Sequence, residues 1–362
     1  MPICSDQTTA AAMLCEKPGA GFVLHNFPLP KPKRGEVLVK NIFSTICTSD
    51  LHTCLGRRVS PLPSVLGHEI IGEVVSLPEV PILDYFGQPI EKGDLLTWTV
   101  YAHDSSDEWA KRGIPQKSPS LFKYGHEKAV DVPTTLSGGF ASHCLLRQGT
   151  SLFQLPKELT PAEAAPLNCT HATIAGAIRL AGNLKGKKIL VSGSGMLGLS
   201  ACAMVKEAGA STVWAIDPQP NRQVQARQFG ADYSIGPGEL TTELKADVLI
   251  ETSGIPEAME RGLLHLAVGG IAVWVGAVFT QRDLAINAEL VVRNILTIKG
   301  LHNYAPQDLA QAIKFLKDAR TKYPFHDLVS IQYPLVQLDE AVQVADSGLH
   351  YRVGIYPNEK IT

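Results

Sequence analysis

Residues 188–217 read KILVSGSGMLGLSACAMVKEAGASTVWAID, and this stretch decides the fold. A short apolar run, KILVS, enters a glycine-rich turn, GSGMLG, with Gly193, Gly195 and Gly198. A helical pattern, LSACAMVKEAGA, follows at once, and then a second apolar run, STVWAID, that ends in an acid. Strand, turn, helix and strand in that order make a βαβ unit and a parallel strand pair. Gly193 permits the tight turn, Gly195 lets the backbone approach a pyrophosphate, and Gly198 allows close helix–strand packing. The helix N-terminus then faces the phosphates with its partial positive charge. Asp217 stands 19 residues after Gly198, where a carboxylate hydrogen-bonds the ribose hydroxyls of an adenosine. A bare glycine turn at a helix start would be the bland reading. The strand before it and the helix after it favour a dinucleotide. Asp217 favours NAD, because a 2′-phosphate would meet its negative charge. Arg222, five residues on, would flank the adenine ribose and could equally favour a 2′-phosphate.

Outward from this unit, strands and helices keep alternating through ADVLIETS and IAVWVGA, which extends the doubly wound parallel sheet. Upstream of about Pro161 the texture is β-rich: EVLVKNIF, GEVVSL and DLLTWTV are separated by Pro, Gly and charged turns. After Lys299 come a helical pattern, PQDLAQAIKFLKDA, then YPLVQLDEAVQVADSG and a closing strand, YRVGIYP. The stretch from Tyr101 to Asp131 reads as a long polar loop. The apolar run Gly262 to Phe279 is about as long as a membrane span, but His265 and the Gly269-Gly270 pair suit a buried helix end, a turn and a buried strand better.

At roughly 150 residues per domain, 362 residues suggest about two domains. With 45% hydrophobic and 19% charged residues, this is an ordinary globular chain. A net charge of −2 excludes a sequence-independent nucleic-acid binder, which would need a basic excess. The seven cysteines, Cys4, Cys15, Cys47, Cys54, Cys144, Cys169 and Cys202, are scattered rather than densely paired. They read as reduced thiols, and no signal peptide is visible, so a cytoplasmic location is expected.

Three residues suggest a metal. Cys47 lies in CTSDLH, His68 in GHE and Cys169 in LNCTHAT. Two thiolates and an imidazole suit tetrahedral Zn²⁺ with an open fourth position. No local spacing forces the three together, and a lone cysteine is more often a small buried hydrophobe.

CTSDLH at 47–52, GHE at 67–69 and the GSGMLG turn, in this order, resemble the zinc-dependent medium-chain alcohol dehydrogenase superfamily. The resemblance covers essentially the whole chain. It implies a GroES-like β-rich catalytic domain (1–169), an inserted Rossmann NAD-binding domain (170–302) and a return to the catalytic domain (303–362). It makes Cys47, His68 and Cys169 the zinc ligands and puts Glu69 beside the metal. Asp50 would orient His68, a common need of a metal-bound imidazole. Ser49 and His52 would form a proton relay, with Ser49 contacting the alcohol oxygen. Thr173 would lie near the nicotinamide, and Arg352 matches a pyrophosphate-binding position. A homodimer or homotetramer is implied, with a small molecule as the substrate.

The chain departs from the family in the lobe that often carries a second, structural zinc. Asp104, Asp107, Ala110 and Ser118 fall at its four cysteine positions, so one catalytic zinc per chain is expected. Cys169, where polyol and threonine dehydrogenases often have Glu, leans towards the alcohol dehydrogenases. Arg57 and Arg58 follow the relay, and Lys117, Lys123, His126 and Lys128 come later. Arginine is the natural partner of a carboxylate or phosphonate, although a solvated basic loop is the commoner meaning, and Arg57 is the better candidate of the two because it is close in sequence to both relay and ligand. The strings GRR…LGHE and PQK…KYGHE resemble a branch associated with phosphonate catabolism, which implies a hydroxyalkylphosphonate or another anionic alcohol. The resulting expectation is hydride transfer from an alcohol to NAD, giving an aldehyde or ketone. Two other readings use the same fold: a bound-NAD elimination or cyclisation, and a non-enzymatic binding protein.

Overall fold

The computed structural model describes residues 8–127, 135–241 and 243–357. Cys4 and Lys128 lie outside the described residues. Two compact units emerge. The first joins Met1–Cys169, Ala305–Lys317 and Phe325–Thr362; the second joins Thr170–Tyr304 and Asp318–Pro324.

The second unit is built on a six-stranded, all-parallel sheet. In spatial order its strands are Tyr233–Ile235, Thr212–Ile216, Lys188–Ser192, Ala246–Glu251, Leu266–Trp274 and Thr297–Gly300. The first strand in sequence, Lys188–Ser192, sits in the middle, and the winding reverses beside it. That reversal opens a crevice at the carboxyl ends of Lys188–Ser192 and Ala246–Glu251, the usual place for a ligand on such a sheet. KILVS and ADVLIE are almost wholly buried because helices cover both faces.

The apolar run from Gly262 resolves into the end of helix Pro256–Leu264 and the strand Leu266–Trp274. Here the expected turn is a bulge. The strand starts before Gly269-Gly270, and its register against Ala246–Glu251 jumps across that pair, from Leu266 to Ile271. No helix among the described residues is long and apolar enough to cross a membrane.

In the first unit, Val37–Ile46 is the hub of an eight-stranded sheet. It pairs antiparallel with Arg352–Tyr356, Glu69–Ser76 and His143–Leu146. The register places Thr45 opposite Glu69 and Ile46 opposite Val353. The chain's last strand and the strand opened by Glu69 therefore flank the same end of the hub. A smaller sheet, Phe22–Pro28, Thr9–Cys15 and Ser64–Val65, packs through Ala10, Met13, Leu14 and Val65 on Leu51, Leu66 and Phe140.

The stretch expected as a polar loop after Tyr101 has structure of its own. It contains the helix Glu108–Lys111, a 3₁₀ turn Pro115–Lys117 and a short strand Phe122–Lys123. Periodicity missed these because each is shorter than two turns or one strand pair. Hydrogen bonds join the four lobe positions. Asp107 Oδ1 caps the helix by accepting from the Ala110 N–H at 2.7 Å, and its carboxylate also takes a hydrogen bond from Ser118. The Asp107 N–H donates to the Asp104 carbonyl at 3.3 Å, and Asp104 Oδ1 accepts from the Ser106 N–H at 2.8 Å.

Candidate metal and dinucleotide sites

The segment CTSDLHTC folds into the helix Thr48–Cys54, with Cys47 at its N-cap. Asp50, three residues into the motif, turns back: its Oδ2 accepts the Cys47 N–H at 2.9 Å. Its Oδ1 accepts the Gly67 N–H at 3.1 Å and lies 3.2 Å from His68 Nδ1. One buried carboxylate thus ties the CTSD motif to the GHE motif. A carboxylate accepts only, so Nδ1 carries a proton and Nε2 is the atom left to face a metal. Burial disfavours the His68 cation, but Asp50 and the Cys47 sulfur outweigh it and hold the imidazole well above its usual range.

The structure brings Cys47, His68, Glu69 and Cys169 together, with one ligand atom of each within 4.8 Å of the others. The Cys169 thiol hydrogen-bonds the Cys47 sulfur and holds Cys47 well below the ordinary thiol range, against the effect of burial. Arg352 and His68 add to that pull. Two sulfurs and an imidazole nitrogen, buried and drawn to one point, are the donor set of a catalytic Zn²⁺. The residues fit that ion.

Glu69 has a second allegiance. Its Oε2 accepts from Arg352 Nε at 2.7 Å and its Oε1 from Arg352 Nη2 at 2.8 Å, while the Thr45 hydroxyl also donates to Oε2. Arg352 Nη2 lies 3.5 Å from Cys47 Sγ. The arginine expected at a pyrophosphate is therefore packed against the metal cluster and paired with its carboxylate. Sequence reasoning missed this pair and Thr45, since only the strand register brings them together.

Ser49 Oγ lies 3.4 Å from His68 Nε2, beside the nitrogen that would bind the metal. His52 is three residues further along the same helix, hence on the same face. Burial, with Arg57 and Arg58 nearby, holds the His52 imidazole below its usual range and favours its neutral form. The two arginines diverge. Arg57 Nη2 meets Asp346 Oδ1 at 2.8 Å on the surface. Arg58 donates from Nη2 to His126 Nδ1 at 3.0 Å, and the His126 ring lies 5.1 Å from that of His68. Lys117 is exposed and Lys123 half-buried.

In the second unit the glycine turn has the form its spacing requires. Gly193 has φ +88°, and a Cβ on Gly198 would sit 1.8 Å from the Gly193 carbonyl oxygen, so only glycine fits. Gly195 caps the helix Met196–Glu207, and a Cβ there would meet nothing within 4 Å. That open face is where a pyrophosphate can approach the backbone. Asp217 Oδ2 accepts the Ser194 N–H at 2.8 Å and Oδ1 accepts the Gln219 N–H at 2.9 Å, which seats the carboxylate beside the turn. These residues fit an adenosine ribose and its pyrophosphate. Arg222 is half-buried in the helix Pro220–Gln228, and Thr173 half-buried in Thr170–Ala181.

Comparison with known proteins agrees with this geometry. Residues 33–157 match the alcohol dehydrogenase GroES-like domain, and residues 197–318 match the zinc-binding dehydrogenase domain. The L-threonine 3-dehydrogenase of Pyrococcus horikoshii is 31% identical over 308 residues, covering 80% of this chain and 82% of that protein. The sorbitol dehydrogenase of Halalkalibacterium halodurans is 28% identical, covering 96% and 99%. Cys169 had pointed away from both of those branches. The crystal structure of an alcohol dehydrogenase from Thermotoga maritima superposes with a TM-score of 0.90 at 25% identity, covering 97% of this chain and 100% of that one. By sequence identity, domain content and fold, the chain belongs to the zinc-dependent medium-chain alcohol dehydrogenase superfamily.

Proposed function

We propose that this NAD-dependent dehydrogenase oxidises a short-chain alcohol bearing an anionic group, with a hydroxyalkylphosphonate as the leading candidate, to the aldehyde or ketone. The observation that carries the alcohol chemistry is the cluster of Cys47, His68, Glu69 and Cys169 with the Ser49 hydroxyl 3.4 Å from His68 Nε2. When bound, zinc would supply Lewis acidity that lowers the pKa of the alcohol, and NAD would supply the hydride acceptor.

The chain's own residues supply the rest. Asp50 holds His68 in one tautomer and one orientation. Ser49 takes the hydroxyl proton, and His52, neutral near pH 7, passes it towards solvent. The turn at Gly193–Gly198 holds the pyrophosphate, Asp217 the ribose, and Thr173 borders the nicotinamide. The arginine-rich run after the relay supports an anionic substrate. The six free cysteines among the described residues suit a reducing, cytoplasmic setting. Exposed apolar side chains on the second unit support a homodimer: Val268 on the strand Leu266–Trp274, Val292 on the helix Ala288–Arg293 and Ile295 just before the strand Thr297–Gly300 are each more than two-thirds exposed.

The test is nicotinamide absorbance with zinc-loaded protein and NAD, offering hydroxyalkylphosphonates beside neutral alcohols. Turnover of the phosphonates at higher kcat/KM supports the proposal. Turnover of neutral alcohols alone would discard the anionic substrate and keep the dehydrogenase.

A further inference from the structure

The glycine turn is slung between the two strands that flank it. Gly193 follows the central strand Lys188–Ser192, and its N–H donates to the Ile216 carbonyl at 2.8 Å on one side. Its carbonyl accepts from the Thr252 hydroxyl at 3.1 Å on the other. The same hydroxyl donates to the Ser192 carbonyl at 2.8 Å, so one proton is shared between two successive oxygens. The next N–H, that of Ser194, donates to Asp217 Oδ2 at 2.8 Å. The Gly193 carbonyl and the Ser194 N–H belong to one trans peptide and point in opposite directions. That peptide plane is therefore clamped at both edges, by Asp217 and by Thr252.

Thr252 is itself held in place. It directly follows the strand Ala246–Glu251, and its N–H donates to the Ser192 carbonyl at 2.9 Å. The buried Glu251 carboxylate then folds the chain back: Oε1 accepts the Ser253 N–H at 2.8 Å and the Gly254 N–H at 3.1 Å, and the Ser253 hydroxyl also donates to it. From behind, Gly276 packs so closely that a Cβ on it would lie 2.7 Å from the Thr252 carbonyl oxygen. A Cβ on Gly193 would come within 3.0 Å of Thr252 Oγ1, and one on Gly198 within 3.3 Å. The hydroxyl thus fills the space that both glycines leave open. The helix Met196–Glu207 starts two residues after Ser194, and its first N–H groups have no partner within the helix. Their aim follows from the peptide out of which the helix departs.

We infer that Thr252 is a positioning residue of the dinucleotide site: its hydroxyl fixes the Gly193–Ser194 peptide from the edge opposite Asp217 and holds the glycine turn in its pyrophosphate-binding form. The inference rests on the reading of this turn as the pyrophosphate site and deepens it. Asp217 then has two duties, the ribose and one edge of the clamp, whereas Thr252 has only the clamp. Loss of the Thr252 hydroxyl should therefore be felt at the pyrophosphate and not at the adenosine. Serine keeps the hydroxyl and can replace threonine here; valine keeps the shape and cannot.

The test uses zinc-loaded, full-length protein with Thr252→Val, Thr252→Ser and Gly195→Val variants, and needs no alcohol. Displacement of bound NADH, followed by its fluorescence, gives the affinity for ADP-ribose, which carries the pyrophosphate, and for adenosine, which does not. Thr252→Val should weaken ADP-ribose about tenfold, the order expected for carbonyls left without their donor, and adenosine less than about twofold. Thr252→Ser should stay within about threefold of wild type for both. A merely structural role would lower the urea midpoint and leave the ratio of the two affinities where it was. Equal losses on ADP-ribose and adenosine, an unchanged ratio in Thr252→Val, or a Thr252→Ser variant no better than Thr252→Val would overturn the inference. Gly195→Val tests the reading beneath it, since its side chain enters the open face of the turn without meeting other atoms. ADP-ribose binding lost in Gly195→Val but kept in Thr252→Val overturns the role of Thr252 alone. Binding that Gly195→Val leaves intact, or that wild type lacks, overturns the pyrophosphate reading and the inference with it.

Discussion

The Arg352 guanidinium grips the Glu69 carboxylate through two parallel hydrogen bonds, Nε to Oε2 at 2.7 Å and Nη2 to Oε1 at 2.8 Å, with both side chains buried. The pair joins the chain's final strand to the strand that begins with the GHE motif, 283 residues away in sequence. It keeps the Glu69 charge compensated beside Cys47, and Arg352 also points at the Cys47 sulfur. Arg352 therefore serves the metal cluster whatever else it binds.

Removing one partner of this pair should be costly. Arg352→Met leaves Glu69 as an uncompensated buried charge, which should cost about 3–5 kcal/mol in urea denaturation. The double variant Glu69→Gln, Arg352→Met should recover part of that loss. A single-variant cost below about 1 kcal/mol would show that the ion pair matters little.

The cluster should hold one zinc per chain. Elemental analysis of wild type should give one equivalent, and Cys169→Ser should lower occupancy sharply. Asp50→Asn should weaken zinc about 10- to 100-fold, because Asp50 both orients His68 and caps the Cys47 helix. Two equivalents in wild type would mean that the lobe at Asp104 to Ser118 carries metal after all.

NAD should be preferred over NADP. Asp217→Ser should reduce that preference about tenfold or more, read as the ratio of dissociation constants. Gly198→Ala places a Cβ 1.8 Å from the Gly193 carbonyl and should abolish binding of either dinucleotide. A wild-type preference for NADP would contradict the role given to Asp217 and point to Arg222.

His143 should make stability depend on pH. Burial, with Lys40 nearby, pushes its imidazole down to about 4, and the neutral Nδ1 pairs with the Ser142 hydroxyl at 2.9 Å. The unfolded chain binds this proton near pH 6.5, so between 6.5 and 4 it holds more protons than the fold does. The contribution is complete above pH 6.5 and is lost as pH falls towards 4, amounting to about 3 kcal/mol. Denaturant titrations across that range should show the loss, and His143→Gln should flatten it. An identical slope in the variant would assign the loss to other groups.

The residues legible in the sequence are those whose partners are local. Gly193, Gly195, Gly198 and Asp217 lie within one strand–turn–helix–strand unit. Cys47, Ser49, Asp50 and His52 lie on one helical turn and its cap, where a three-residue spacing already puts side chains on one face. The lobe helix at Glu108–Lys111 was hidden because four residues carry too little periodicity to separate it from a loop.

By itself, the sequence determined the doubly wound sheet, its dinucleotide turn and the kinds of donor atom available for a metal. These depend on backbone periods and side-chain chemistry, which are written residue by residue. Only the tertiary structure decided which donors meet and where each cation points. Arg57 and Arg58 are neighbours with the same side chain, yet one is neutralised by Asp346 and the other reaches His126, beside His68. Arg352 and Glu69 meet because the hub strand Val37–Ile46 pairs with both of their strands at one end. Such encounters are set by the register and packing of distant segments, and no local pattern encodes them.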